Sequence, residues 1–131
     1  VHLVEEVALL QILDISAEDK IMNWIKLEQE NQLEQIAELS HTKPQAIFKH
    51  STRCSISTVA KNRLDNSSVD AIDFYYLDLL SFRNISSSVA EKFNVYHESP
   101  QIILIKNGEC IYDESHGAIN IQDIVDAINL S

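Results

Sequence analysis

Residues 45–64 read QAIFKHSTRCSISTVAKNRL, and the way this stretch changes character decides the fold. Its first six residues, centred on Ala46, Ile47 and Phe48 after Pro44, read as a short buried strand. After Cys54, the apolar residues Ile56, Val59, Ala60 and Leu64 recur at three- and four-residue intervals, the period of a helix. Cys54 therefore falls at a strand-to-helix junction, at or near a helix N-terminus. Ser57 stands three residues on, where a redox pair would carry its second cysteine. Two readings open: a reactive thiol without a thiol partner, or a small packed residue ahead of a helix.

Outward from this junction the chain alternates. Residues 28–39 (EQENQLEQIAEL) carry Leu33, Ile36, Ala37 and Leu39 near helical spacing. DFYYLDLL (73–80) reads as a second strand, and NISSSVAEKF (84–93) as a helix with Asn84 or Ser86 as its cap and Val89, Ala90 and Phe93 on its apolar face. VYHESP (95–100) is a loop. QIILIKNGECIYD (101–113) reads as two strands joined through Asn107-Gly108, a strong hairpin signal. INIQDIVDAINL (119–130) closes as an amphipathic helix with Ile121, Ile124, Val125 and Ile128 on one side.

The order is helix, strand, helix, strand, helix, hairpin, helix. A parallel βαβ unit followed by an antiparallel hairpin and a terminal helix is an α/β, thioredoxin-like plan: a central mixed sheet flanked by helices. A cysteine after the first core strand and a proline just before the hairpin make the match more specific.

The chain has 131 residues, enough for one domain with a real core. The expected division is a domain over 23–131 preceded by an extension over 1–22, either a helix or a leader, with Met22 as a candidate natural start. The opening VHLVEEVALLQILDI carries Glu5 and Glu6 and no basic flank, unlike a secretory signal. It is also shorter than the roughly 20 apolar residues that a membrane span needs. The formal net charge of −10 argues against nonspecific binding to nucleic acid or anionic membrane. Cys54 and Cys110 are the two cysteines, too few for a disulfide framework and in keeping with a reducing compartment such as the cytoplasm.

A reactive cysteine works as thiolate. A helix N-terminus offers free N–H groups and partial positive charge. The surroundings are also basic: Lys43, Lys49, Arg53, Lys61 and Arg63 lie between Glu38 and Asp65 with no acid among them, five of the chain's ten Lys and Arg. Arg53, adjacent to the sulfur, is the candidate for stabilising a thiolate or meeting an anionic thiol; Lys43 and Arg63 read equally well as a solvated face. Ser57 can donate a hydrogen bond to the thiolate but cannot form a disulfide, so exchange through Cys54 is expected to be monothiolic.

Pro100 is expected to be cis and to shape a groove beside Cys54, with Ser99 offering backbone hydrogen bonds to a substrate. His97 and Glu98 belong to the same loop, Glu98 on its solvent side. His50 ends the strand and either tunes Cys54 or is structural. Cys110 is expected to be a small strand residue rather than a resolving thiol. Trp24, Tyr75 and Tyr76 read as core or half-buried anchors. Spacing argues against an arsenate-reductase or phosphatase loop (Ala60 where arginine is needed), a peroxidatic cysteine (Ile47 where proline is expected) and a zinc site. The Cys-Gly-Phe-Ser motif of cluster-carrying glutaredoxins is absent.

FKHSTRCSIS (48–57) resembles the FKHSTTCPIS segment of the bacilliredoxin C family, and YHESPQIILIKNGECIYDESH (96–116) resembles its second characteristic stretch. The resemblance covers roughly residues 23–130. It implies a cytoplasmic, thioredoxin-like monothiol protein that removes bacillithiol from S-bacillithiolated client proteins, with no bound cofactor and bacillithiol as small-thiol co-substrate. Carried over by motif, Cys54 is the nucleophile, Ser57 holds the position of the absent resolving thiol, and Pro100 is the loop proline. Thr52 belongs to the same motif, and Lys49 and Arg53 would meet the malate carboxylates of bacillithiol. Two positions depart from the pattern: Arg53 replaces threonine, adding a cation, and Ser55 replaces proline, restoring a backbone N–H. Two other functions fit the same residues: a glutaredoxin-like reductase using another small thiol, and a non-catalytic adaptor that binds proteins through the Ser99-Pro100 groove.

Overall fold

The computed structural model describes residues 21–131. The expected extension therefore lies outside the described residues except for its last two. Of these, Met22 packs into the core and donates its N–H to the Asp65 carbonyl (2.9 Å).

The described residues form a five-stranded mixed sheet in the order β1-β3-β2-β4-β5. Its strands are β1 (Trp24–Lys26), β2 (Gln45–His50), β3 (Asp73–Asp78), β4 (Gln101–Lys106) and β5 (Glu109–Ser115). β1 and β2 flank β3 in parallel, while β4 runs antiparallel to β2 and β5 antiparallel to β4. The helices are α1 (Gln32–Leu39), α2 (Ser55–Asp65), α3 (Arg83–Lys92) and α4 (Ile121–Asn129). This is the expected thioredoxin-like plan, with β1 added at one edge.

Side chains alternate across a strand, so the two sheet faces carry separate cores. Ala46, Phe48, Phe74, Ile102 and Leu104 pack with Ala60 and Leu64 of α2 and Ile124, Val125 and Ile128 of α4. Ile47, Tyr75, Leu77, Ile103 and Ile105 face Leu33 and Ile36 of α1 and Ile85, Val89 and Phe93 of α3. All six residues of β2 are buried, the polar Gln45, Lys49 and His50 included.

Several boundaries differ from expectation for local reasons. α1 starts at Gln32 rather than residue 28, because the Gln32 amide oxygen accepts the N–H groups of Glu28 and Gln29 and folds that segment back. α3 starts at Arg83, so Asn84 and Ser86 lie inside the helix and neither caps it. Asp78 instead organises the turn before α3, accepting from Leu80 N and Ser81 Oγ with its carboxylate and from Phe82 N with its carbonyl. That turn also ends β3 before Leu79 and Leu80. α4 is capped by Asn120, whose Oδ1 accepts from Asp123 N at 2.9 Å. Asn107 and Gly108 have φ of 53° and 79°, the left-handed pair that a two-residue hairpin turn requires. Ser40 ties this turn to the end of α1 by accepting the N–H of Asn107 at its carbonyl and that of Gly108 at its hydroxyl.

Candidate functional site

Cys54 is the N-cap of α2, with extended backbone (φ −107°, ψ 121°) and a half-exposed side chain. Its carbonyl accepts both the N–H and the hydroxyl of Thr58. That leaves the first N–H groups of α2, including that of Ser55, at the sulfur's end of the helix. The β2–β4 pairing places Lys49 opposite Gln101, so the residues just beyond them, His50 and Pro100, lie at the same end of the sheet as Cys54. The Ser99–Pro100 peptide is cis, as expected. Pro100 accepts the His116 N–H at its carbonyl, and Ser99 Oγ is buried without a hydrogen-bond partner.

Ser57 is fully buried. Its Oγ lies 2.6 Å from His50 Nδ1 and accepts the Ser51 N–H at 3.0 Å. The geometry fits a hydroxyl donating to His50 while accepting from Ser51, which gives each group one partner. The hydroxyl expected to serve the Cys54 thiolate is thus committed to the end of β2. Burial, and then the Lys61 charge, hold the His50 pKa below its ordinary value, so the ring is neutral near pH 7. Phe48 stacks on it and Tyr76 meets it at a tilt, with ring centroids 5.8 and 5.6 Å away.

The basic run separates into structural and free members. Lys43 pairs with Asp73 and Lys61 with Asp65, each at 2.9 Å, while Arg63 donates to the Gly117 carbonyl. Arg53 and Thr52 are exposed beside Cys54. Lys49 is placed differently from the expectation of a ligand contact. It is fully buried, and its parity with Ile47 directs it to the α1/α3 face, away from His50 and Ser57. There its Nζ donates to the Ser86 carbonyl at 3.1 Å and lies 3.2 Å from His97 Nδ1. Nothing in the QAIFKH pattern distinguishes this lysine from one that reaches solvent. Burial lowers its pKa to about 8.

Glu98 is exposed, as expected, and reaches His116 (3.4 Å). Cys110 is half-buried, with its pKa raised mainly by burial. It pairs with Ile105, which lies opposite Gln45 at the far end of β2 from His50. A strand of that length spans roughly 17 Å, far beyond the ~4.4–6.8 Å Cα separation of a disulfide. Among the described residues, no three or more His, Cys, Asp or Glu side chains gather where an ion could bind. No helix among them is long and apolar enough to cross a membrane.

The model of the monothiol bacilliredoxin BrxC family matches residues 25–124. A solved structure described as an oxidoreductase with a thioredoxin fold is 35% identical, with a TM-score of 0.69 over 82% of this chain and 94% of that one. Thioredoxin from Schistosoma mansoni is 23% identical, with a TM-score of 0.54 over 85% of this chain and 96% of that one. Thioredoxin from Malassezia sympodialis is 17% identical, at 0.53 over 88% and 92%. These last two are alike in fold alone. Family and fold together give a thiol oxidoreductase. With the family model spanning most of the chain and both characteristic segments inside it, the chain belongs to the monothiol bacilliredoxin family.

Proposed function

We propose that this protein removes bacillithiol from S-bacillithiolated proteins in the cytoplasm, with Cys54 as nucleophile. The observation that carries the reading is the asymmetry of the C-x-x-S segment. Cys54 is accessible at the head of α2, while Ser57 is fully buried and already engaged by His50 and Ser51. One sulfur is open to attack a disulfide, and no second sulfur stands near to resolve the product internally.

The cycle has two exchanges. Cys54 thiolate attacks the bacillithiol sulfur of the modified client. The client–bacillithiol S–S bond breaks, and the client thiolate leaves and takes a proton. Cys54 is now joined to bacillithiol. A second bacillithiol thiolate attacks the bacillithiol sulfur of that bond, releasing bacillithiol disulfide and restoring Cys54. In net, the client mixed disulfide and one free bacillithiol give the client thiol and bacillithiol disulfide, so the number of S–S bonds is conserved and no bound cofactor is needed. In this reading the unpartnered Ser99 Oγ and the Pro100 loop border the substrate, and the exposed Arg53 charge attracts the anionic thiol toward the sulfur.

The test is release of bacillithiol from a modified client by wild type and by Cys54→Ala. Release by wild type well above the background supports the proposal, while equal rates contradict it. Parallel clients carrying other small thiols separate this reading from a glutaredoxin-like one. Full client binding without release would indicate an adaptor.

A further inference from the structure

A cavity of about 550 Å³ opens on the α3 side of the sheet, between that helix and the loop leading to Pro100. This is within the range of small-molecule sites. Arg83, Ser86 and Ser87 line it from α3, and Tyr96 and His97 from the loop. Arg83 heads α3, which follows β3 through a short turn, so this end of the cavity lies at the same end of the sheet as Cys54.

The wall formed by Ser86 and His97 has a buried cation directly behind it. Lys49 Nζ donates to the Ser86 carbonyl and lies 3.2 Å from His97 Nδ1. No carboxylate among the described residues forms an ion pair with it. A buried ammonium without a counter-charge is costly, and an anion in the adjoining cavity would offset that cost. Donation from Lys49 to Nδ1 places the neutral His97 proton on Nε2, so the ring can act as a donor. Burial and then the Lys49 charge push the His97 pKa down, with Arg83 acting in the same direction and Glu98 against it. Glu91 is the one acid lining the cavity. It lies about 12 Å along the helix from Arg83, and Glu98, the acid next to His97, is turned to His116 (3.4 Å), so an anionic group is favoured at the Arg83–His97 end.

We propose that the Arg83–His97 end of this cavity is a subsite for the carboxylate-bearing end of the small thiol, with Lys49 as the buried charge behind it. The identity of the ligand rests on the bacillithiol reading above; the anion site itself does not. Arg83 supplies a guanidinium suited to carboxylates, and His97 a second donor.

The test is an NMR titration of the full chain with L-malate, using the uncharged malamide as control, in wild type, Arg83→Ala and Cys54→Ala. The expected result is that malate shifts the amide signals of Arg83–Ser87 and His97 and that malamide does not. Arg83→Ala should weaken the effect tenfold or more, and Cys54→Ala should leave it in place. Unmoved signals, or equal binding by Arg83→Ala, would overturn the proposal. Because binding is read without thiol exchange, an anion site can stand while the debacillithiolation reading fails, and the reverse is equally visible.

Discussion

His50 Nδ1 and Ser57 Oγ lie 2.6 Å apart, joining the last residue of β2 to the first turn of α2 across the loop that carries Cys54. Ser57 also holds the Ser51 N–H, so one buried hydroxyl fixes both ends of the segment Ser51–Ser57. In a dithiol protein this position would carry the resolving sulfur. Here it serves as a structural clasp that leaves Cys54 the accessible member of the pair.

Ser57→Ala should therefore destabilise the fold. It strands the buried His50 nitrogen and the Ser51 N–H, and leaving such groups unpaired costs about 1–3 kcal/mol. Urea denaturation of the variant and wild type checks this. An unchanged midpoint would mean that the clasp contributes nothing.

Lys49 should give stability a rising pH profile on the alkaline side. Its pKa falls from 10.5 to about 8 on folding. Between those values the unfolded chain keeps a proton that the native state has lost, so stability increases with pH across the window. The full difference amounts to about 3 kcal/mol. Below pH 8 both states are charged and the native state bears the whole desolvation cost. Lys49→Met should remove this rise between pH 8 and 9.5, where the opposite contribution of Cys110, its pKa raised by burial, is common to both proteins. Parallel profiles for wild type and variant would contradict this.

Cys110→Ser should leave bacillithiol release and the Cys54 mixed disulfide intact, because the sheet register holds the two cysteines at opposite ends of β2. Steady-state rates of the variant and wild type decide the matter. A large loss of turnover would require Cys110 in the cycle.

Arg53→Ala should slow the reaction of Cys54 with a carboxylate-bearing disulfide roughly two- to fivefold at low salt, the range expected for an exposed charge interaction. The difference should shrink at about 1 M salt, where screening acts within ~3 Å. Stopped-flow rates with charged and neutral disulfides separate this effect from a general loss of reactivity.

The fold was legible because the strong signals are local. The apolar period after Cys54, the Asn107-Gly108 turn and the apolar face of α4 each declare their element within a few residues. β1 was not, since Trp24–Lys26 is three residues long and becomes a strand by pairing with β3, a contact that sequence spacing does not announce. At the site, Cys54 and Pro100 could be placed from chain order. The partners of Lys49, His50 and Ser57 could not, because a strand of six buried residues hides which polar side chain faces which layer. The parity of β2 then sends Lys49 and His50 to opposite faces, which separates two residues that look adjacent in the motif.

The most direct measurement is the intact mass of the protein after brief incubation with a bacillithiolated client and no free bacillithiol. The account expects one bacillithiol adduct, mapped to Cys54, formed in equal amount to the client thiol released, and no adduct in Cys54→Ala. A client that keeps its bacillithiol, or an adduct carried by Cys110 instead, would contradict the central claim.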